Sequence, residues 1–203
     1  TTEIYTLSLH DALPISGTGN DVAAALRMGA EEVQAVEIDP AIRKLGLLYH
    51  PERPYQDSRV KTVIDDARSF FRTTPDRFDL VVYGLLDSHT LLSHASSVRL
   101  DSFVYTVEGF REAASILNEN GVLSLAFSIL SDEIGRKIYL MMEAAFPDSA
   151  PLCVRARYDG SVIFFHGQNL RLDREALARN GFEDISAKYA DARIEASVST
   201  DDW

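Results

Sequence analysis

The sequence predicts a doubly wound α/β fold with a mostly parallel sheet and a C-terminal antiparallel hairpin. Short apolar runs alternate with helical segments along most of the chain, which is typical of right-handed parallel crossovers. A Gly-Thr-Gly turn at 17–19 opens a helix, and Glu37 ends the apolar run that follows, at the spacing of about 20 residues typical of a nucleotide-binding βαβ unit. An Asp-Gly pair at 159–160 between two apolar runs predicts the hairpin.

Composition limits the functional classes. The chain has 203 residues, 46% of them hydrophobic, and a net charge of -11, which argues against nucleic acid as a partner. Its single cysteine, Cys153, excludes an internal disulfide and a cysteine-cluster metal site, and its apolar neighbours indicate a buried strand thiol. Neither a secretory signal nor a membrane-spanning run is visible. We expect a cytoplasmic chain with no membrane contact of its own; a cytoplasmic domain of a larger membrane protein is the alternative.

Residues 1–15 are interpreted as a translated sequencing-library adapter. They back-translate without a mismatch to the end of a widely used adapter, and such segments are excluded from fold reasoning. The alternative is a native strand, since Ile4, Tyr5 and Leu7 suit one. On the first interpretation, foreign peptide replaces the native first strand, residues 16–185 form the α/β domain, and 186–203 is a tail that we expect to be truncated.

The remaining elements follow from periodicity, caps and breakers. Strands are predicted over 33–38, 60–64, 78–83, 121–127, 152–158 and 161–166, and helices over 20–28, 41–48, 67–71, 107–117, 131–146 and 173–180. Asn20 and Asp21 are expected to cap the first helix, and Gly29 to end it. The polar connection 84–102 is long enough to favour a lid or binding loop, and 181–203 is expected to be a mostly polar tail.

Six segments between 17 and 166 carry a family resemblance. They are Gly-Thr-Gly at 17–19, Val-Glu-Ile-Asp-Pro at 36–40, Asp-Ser-Arg-Val at 57–60, Asp-Ala at 66–67, Phe-Asp-Leu-Val-Val at 78–82 and Val-Tyr-Thr-Val-Glu-Gly-Phe at 104–110. In this order they resemble the Rossmann-like S-adenosylmethionine-dependent methyltransferases and, more narrowly, the spermidine/spermine synthase (polyamine aminopropyltransferase) family. The resemblance implies binding of S-adenosylmethionine or decarboxylated S-adenosylmethionine and aminopropyl transfer to a polyamine.

The resemblance also implies which residues form the cofactor site. They are Gly17, Thr18, Gly19, Glu37, Ile38, Asp66 and Ala67. The glycine turn would approach the amino-acid portion of the cofactor, the glutamate the ribose, and the last three residues the adenine. A solvated strand-end acid is the alternative for Glu37, whereas a helix N-cap role for Asp66 is compatible with adenine contact.

Two departures from the family pattern limit what the resemblance implies. The family's Asp-Ser-Ser-Asp segment reads Gly-Leu-Leu-Asp at 84–87, so its first aspartate, the usual base, is absent, and Thr18 replaces an acid in the glycine loop. Asp87 and His89 are the candidate catalytic residues, because an attacking amine needs a proton acceptor; loop turn and polar surface roles are the alternatives. His89 and His94 lack a third ligand at a suitable spacing, so we expect no metal site.

Three functions therefore remain open. The first is aminopropyl transfer to a small-molecule polyamine, and the second is methyl transfer to an unidentified acceptor. The third is a non-catalytic nucleoside-binding domain of a larger membrane protein. A homodimer is one possible assembly. Tyr83, Phe127, His50 and His166 are predicted to be structural.

Overall fold

A computed structural model of the chain describes residues 9–84, 103–147, 149–156, 161–170 and 173–202. The strands in this part are β1 (Asp11–Ile15), β2 (Glu32–Glu37), β3 (Val60–Ile64), β4 (Phe78–Tyr83), β5 (Leu117–Ser128), β6 (Leu152–Arg155), β7 (Ser161–His166) and β8 (Glu183–Asp184). They form one sheet in the order β3-β2-β1-β4-β5-β7-β6-β8. The first five are parallel and the last three antiparallel, which confirms the predicted fold class.

Helices cover both faces of this sheet. They are α1 (Asn20–Arg27), α2 (Pro40–Tyr49), α3 (Ala67–Thr73), α4 (Val107–Ser115), α5 (Asp132–Ala145), α6 (Arg174–Arg179) and α7 (Ser186–Ala190), with a 3-10 turn at Pro54–Gln56. Successive strand residues face opposite sides. Accordingly, Ala12 packs in the cluster of α1 and the 3-10 turn, whereas Leu13 packs in the cluster of α3, α4, α5 and α7. The result is two helical layers around a central sheet.

Strand β1 occupies the centre of the parallel region, between β2 and β4. The N–H groups of His10 and Asp11 donate to Asp79 Oδ2 over 2.9 and 3.2 Å. Part of the segment interpreted as adapter therefore forms the central strand of the parallel region. Pro14 has no N–H to give to the ladder, which is unusual in a central strand and supports a foreign origin. That origin stays a prediction, and the genomic sequence upstream of the Ser16 codon tests it.

Side-chain caps begin several of the described helices. Asp39 accepts from Ala41 N at 2.7 Å to begin α2, and Asp66 accepts from Ser69 N at 3.0 Å to begin α3. Thr106 begins α4 in the same way, accepting from Gly109 N at 3.0 Å. Each cap satisfies a backbone donor that the first turn leaves without a partner. The N-cap role of Asp66 is thereby confirmed.

Helix α1 begins differently from the prediction. Its N-cap is Gly19, with φ 107° and no side-chain hydrogen bond, so the expectation that Asn20 and Asp21 cap it is wrong. The side chain of Asn20 instead lies 3.1 Å from His50 Nε2, which gives His50 the structural role predicted for it. Asp21 turns toward Gly84 at the end of β4. The predicted stop at Gly29 is confirmed by its φ of 92°.

The C-terminal region is more ordered than the expected polar tail. Tyr189 on α7 is 2% exposed and stacks on Phe164, with ring centroids 5.8 Å apart. Gly135 on α5 leaves room for this ring, since a Cβ there would overlap it. Farther on, Asp201 pairs with Arg68 at the start of α3. Backbone hydrogen bonds, such as that from Val107 N to Ser199 O over 3.0 Å, join the ring and the ion pair in attaching this largely polar segment to the domain.

Candidate functional site

The glycine turn lies at the C-terminal end of β1, where open α/β sheets bind ligands. Ser16 N donates to Val36 O over 2.9 Å, which joins the start of the turn to the end of β2. Gly19 N then donates to Ser16 O over 2.9 Å and closes the turn. Gly17 has φ 50° and Gly19 φ 107°, so both lie in the region that favours glycine.

The two glycines face different surroundings. Among the described residues, no heavy atom outside its immediate neighbours lies within 4 Å of the place where a Cβ on Gly17 would stand, so the turn is open on this side. A Cβ on Gly19 would lie 3.0 Å from both Pro54 and Tyr55. Thr18, between them, is exposed. Gly17 and Thr18 therefore border free space that a ligand can occupy, whereas Gly19 packs against the 3-10 turn.

Two further residues support the turn, and the sequence analysis missed both. The hydroxyl of Tyr55 donates to Gly17 O over 2.7 Å, and its ring is buried beneath the turn. Burial raises the pKa of Tyr55, so the hydroxyl remains a donor at neutral pH. On α2, a Cβ at Gly46 would overlap the carbonyl oxygen of Thr18. A proline before an aromatic residue and a glycine inside a helix were the available signals.

Glu37 ends β2 beside the glycine turn. It is 6% exposed, and its Oε1 accepts from Asp39 N over 2.9 Å. Its backbone oxygen accepts from Asp65 N over 3.2 Å, which ties the end of β2 to the end of β3. The alternative for Glu37, a solvated strand-end acid, is therefore wrong. A buried carboxylate in this place, with one oxygen engaged, is suited to accept hydrogen bonds from two neighbouring hydroxyls.

The residues predicted to contact adenine lie at the ends of β2 and β3. Ile38 follows β2 and is 47% exposed, so its apolar side chain is accessible at this end of the sheet. Asp66 begins α3 with its side chain engaged as the cap, and Ala67 is buried in the core of that face. Glu37 and Ile64 are register partners across β2 and β3. The structure therefore brings the seven predicted cofactor residues to one edge of the sheet.

The end of β4 completes this edge. The side chain of Asp21 lies over Gly84, so that a Cβ on Gly84 would overlap Asp21 Oδ2 and lie 3.4 Å from Asp21 Cγ. The carbonyl oxygen of Ile15, at the end of β1, lies 4.0 Å from the same point. Burial raises the pKa of the Asp21 carboxyl. Asp21 was predicted as a cap, so its position in the crevice was not anticipated.

The predicted catalytic pair lies outside the described residues. Asp87 and His89, with His94, belong to the connection that follows Gly84. In the part of the chain that is described, no three His, Cys, Asp or Glu side chains come together to hold a metal ion. The same part contains no helix with the length and apolar character needed to cross a membrane.

Several residues predicted to be structural lie in the core. Tyr83 is fully buried in the cluster beneath α3 and α4, with its ring 5.9 Å from that of Phe110. His166 is 3% exposed and stacks on Phe146 at 4.0 Å between ring centroids. Cys153 is fully buried on β6, and burial raises the pKa of its thiol, so it is not a nucleophile. These predictions are confirmed.

A cavity of about 280 Å³ opens at the other edge of the sheet. It is bordered by Leu117 at the start of β5, Phe146 after α5 and His166 at the end of β7. These residues lie away from the glycine turn, and ligands of open α/β sheets bind at the carboxyl ends of the parallel strands. We therefore place the candidate site at the glycine turn rather than in this cavity.

The topology and the glycine turn define the class: a Rossmann-like fold of the methyltransferase type. The spermine/spermidine synthase domain matches residues 9–168, and the chain belongs to that family. A polyamine aminopropyltransferase of Buchnera aphidicola is 31% identical over 99 residues, covering 47% of this chain and 34% of that protein. One from Saccharolobus solfataricus is 27% identical over 143 residues, covering 68% and 45%. The chain thus matches less than half the length of these relatives.

Solved structures support the fold. Spermidine synthase from Thermotoga maritima superimposes with a TM-score of 0.63 at 17% identity, covering 86% of this chain and 60% of that one. A spermidine synthase in complex with the transition-state analogue AdoDATO has a TM-score of 0.62 at 19% identity, with coverages of 86% and 60%. Human methyltransferase-like protein 13 in complex with SAH reaches 0.61 at 16% identity, with coverages of 90% and 80%.

Proposed function

We propose that this chain binds S-adenosylmethionine or its decarboxylated form at the ends of β1, β2 and β3, and transfers an aminopropyl group from the latter to a polyamine. The observation that carries the proposal is the buried carboxylate of Glu37 beside the open glycine turn, in a chain of the spermine/spermidine synthase family. The space left at Gly17 fits a ligand that approaches the backbone closely.

Each part of the edge has its own task in this proposal. Glu37 accepts hydrogen bonds from the ribose hydroxyls, because its contact with Asp39 N fixes the carboxylate and leaves acceptor capacity free. The exposed side chain of Ile38 offers an apolar surface to adenine, with Asp66 and Ala67 on the neighbouring strand end. Gly17, Thr18 and Gly19 approach the chain attached to the sulfonium. The positions of these groups orient the reacting carbon for displacement.

The proposed transfer is a displacement at carbon. A nitrogen of the acceptor bonds to the carbon next to the sulfonium, the carbon–sulfur bond breaks, and its electron pair stays on sulfur to give neutral methylthioadenosine. The attacking nitrogen must be unprotonated, and it sheds one proton after the bond forms. We propose Asp87 and His89 as the acceptors of these protons, because they follow the end of β4 in the sequence.

Methyl transfer is the second candidate, and a specific observation favours it. Gly84 provides no carboxylate at the place where the resemblance implies a base for aminopropyl transfer. An acceptor that loses its proton readily would not need one. The two candidates differ in the product nucleoside: aminopropyl transfer leaves methylthioadenosine, whereas methyl transfer leaves S-adenosylhomocysteine.

The products separate the candidates. We expect the protein to form methylthioadenosine from decarboxylated S-adenosylmethionine and putrescine, followed by liquid chromatography and mass spectrometry. Absence of methylthioadenosine, together with binding of S-adenosylmethionine in calorimetry, would contradict aminopropyl transfer and favour methyl transfer. Binding of the nucleosides with no turnover of either donor would favour a non-catalytic nucleoside-binding domain.

Glu37→Gln tests the ribose contact. Loss of a hydrogen bond to a charged group costs about 1.5–3 kcal/mol, so we expect the dissociation constant of methylthioadenosine to rise about 10- to 150-fold. Glu32→Gln is the matched control: Glu32 begins the same strand, contacts Lys61 and lies at the opposite edge. Calorimetry measures both, and equal affinities of the two variants would refute the role of Glu37.

A further inference from the structure

The packing of Asp21 on Gly84 has a specific consequence for ligand binding. A side chain at position 84 and the observed position of the Asp21 carboxylate exclude one another, since a Cβ on Gly84 would overlap Oδ2. The glycine that ends β4 is therefore the reason that an acid from α1 can reach across to this strand. Asp21 places a carboxylate at the strand end where position 84 itself provides none.

Asp21 and Gly84 lie at the place where sheets of this topology bind their ligands. Strands β1 and β4 are parallel neighbours, with Ile15 paired to Tyr83, and the strand order reverses between them. The connection after β1 leads to α1 on one face, whereas α4, the next described helix after β4, packs on the other face. Ligands of open α/β sheets bind in the crevice that such a reversal creates. Asp21 and Gly84 lie at this crevice, beside the open side of the glycine turn.

The Asp21 carboxylate is half-buried and has no partner among the described residues. Within the part of the chain that the structure describes, which does not include residues 85–102 after Gly84, the side-chain oxygens of Asp21 make no hydrogen bond or ion pair. Burial raises the pKa of Asp21, because removal of water disfavours the charged form. A carboxylate in this setting is stabilised when a cationic group arrives to replace the lost water.

We propose that the Asp21 carboxylate, lying over Gly84, binds a primary ammonium group of the substrate. The inference rests on the proposed function, because it assumes that a nucleoside lies along the glycine turn. Two parts of the reaction carry such a group, the aminopropyl chain of the donor and the polyamine acceptor. The chemistry of the contact is the same for both: a charge-assisted hydrogen bond from N–H to a carboxylate oxygen.

The first experiment compares charged and neutral ligands in Asp21→Asn. By calorimetry we expect decarboxylated S-adenosylmethionine, or putrescine added to the protein saturated with methylthioadenosine, to bind about 10- to 100-fold more weakly than to the unmodified protein. Weaker binding of decarboxylated S-adenosylmethionine assigns the contact to the aminopropyl chain of the donor. Weaker binding of putrescine assigns it to the polyamine acceptor. Methylthioadenosine, which has no ammonium group, should bind within about twofold of the unmodified protein.

A second variant reaches the same contact from the strand side. Gly84→Ala must displace the carboxylate, and the displacement is tolerable because only the end of a side chain has to move. We expect it to weaken the same ammonium ligand while methylthioadenosine binding persists. Glu175→Gln is the matched control, since Glu175 lies in the first turn of α6, is 90% exposed and belongs to the opposite end of the sheet.

Thermal unfolding provides a readout that needs no ligand. Asp21→Asn should raise the melting temperature of the ligand-free protein, because a partly desolvated charge is removed, and Glu175→Gln should leave it unchanged. The inference is overturned if Asp21→Asn and Gly84→Ala bind decarboxylated S-adenosylmethionine and putrescine with the affinities of the unmodified protein. In that case Glu37→Gln should still bind methylthioadenosine more weakly, which keeps the proposed function. If the unmodified protein binds no methylthioadenosine, the proposed function fails and this inference fails with it.

Discussion

Acidic side chains on the two faces of the sheet have opposite surroundings. On one face, the Arg68 cluster consists of Arg68, Arg72, Glu112 and Asp201, and the Arg68 side chain is only 7% exposed. The Arg68 guanidinium donates two hydrogen bonds to the Glu112 carboxylate, each 2.7 Å long, and two to the Asp201 carboxylate, each 2.8 Å long. On the other face, the carboxylate of Asp21 lies over Gly84, which has no side chain to pair with it.

The pKa values follow this contrast. Arg68 holds the pKa of Asp201 below its ordinary value. Partial burial acts in the opposite direction on Glu112, yet Arg68 and Arg72 hold its pKa below the ordinary value as well. Burial raises the pKa of Asp21. The difference teaches how to separate the two kinds of acid: those paired inside the protein stabilise its fold, whereas Asp21, which has no partner among the described residues, is the acid that we propose for ligand binding.

The largest expected effect comes from breaking the Arg68 cluster. Arg68→Met leaves Glu112 and Asp201 without their shared partner, and we expect a loss of about 2–4 kcal/mol in the free energy of unfolding. Arg72→Met is the control, because Arg72 is 56% exposed and contacts the same Glu112, and it should cost less than about 1 kcal/mol. Urea unfolding measures both. Equal losses would contradict a structural role specific to Arg68.

Gly46→Ala perturbs the crevice side. The new Cβ overlaps the Thr18 carbonyl, so the backbone of α2 or of the turn must shift, and we expect about 1–2 kcal/mol of destabilisation. Because the turn itself moves, methylthioadenosine should also bind more weakly in calorimetry. Gly29→Ala serves as a comparison, since nothing lies within 4 Å of its Cβ position and only its φ of 92° is strained. That variant should lose stability but retain nucleoside binding.

The smallest effect is a difference in pH dependence. Since the pKa values of Glu112 and Asp201 are lowered, their contribution to stability is complete above the ordinary values of 4.5 and 3.8 and is lost as the pH falls through the folded-state values. The pKa of Asp21 is raised, so its contribution has the opposite sign, and stability is gained as the pH falls through its folded-state value.

Denaturant titrations across the acidic range separate the two contributions. In Arg68→Met, the free energy of unfolding should fall less steeply with decreasing pH at the acidic end of the range. In Asp21→Asn, the increase in the free energy of unfolding as the pH falls through the folded-state pKa of Asp21 should be absent. Identical pH profiles for the unmodified protein and both variants would refute the contrast between the two faces.

Much of the fold was predictable because local signals and burial agree. The run 78–83 predicted β4 without error, and Asp66 was correctly predicted as the cap of α3, since both depend on neighbouring residues in the sequence. The start of α1 was predicted wrongly because two residues with high capping preference follow a glycine that takes the N-cap position. Asp21 and Asn20 are then engaged by residues 63 and 30 positions away, Gly84 and His50.

By itself, the sequence determined the alternation of strands and helices, the glycine turn and the acid that ends β2, because periodicity and turn chemistry act over a few residues. Only the tertiary structure decided that Tyr55 and Gly46 support the turn, that Arg68 attaches the C-terminal segment, and that Asp21 lies over Gly84. These contacts join residues far apart in the chain. They depend on which strands become neighbours and on how closely two backbones approach, and neither is encoded in a local pattern.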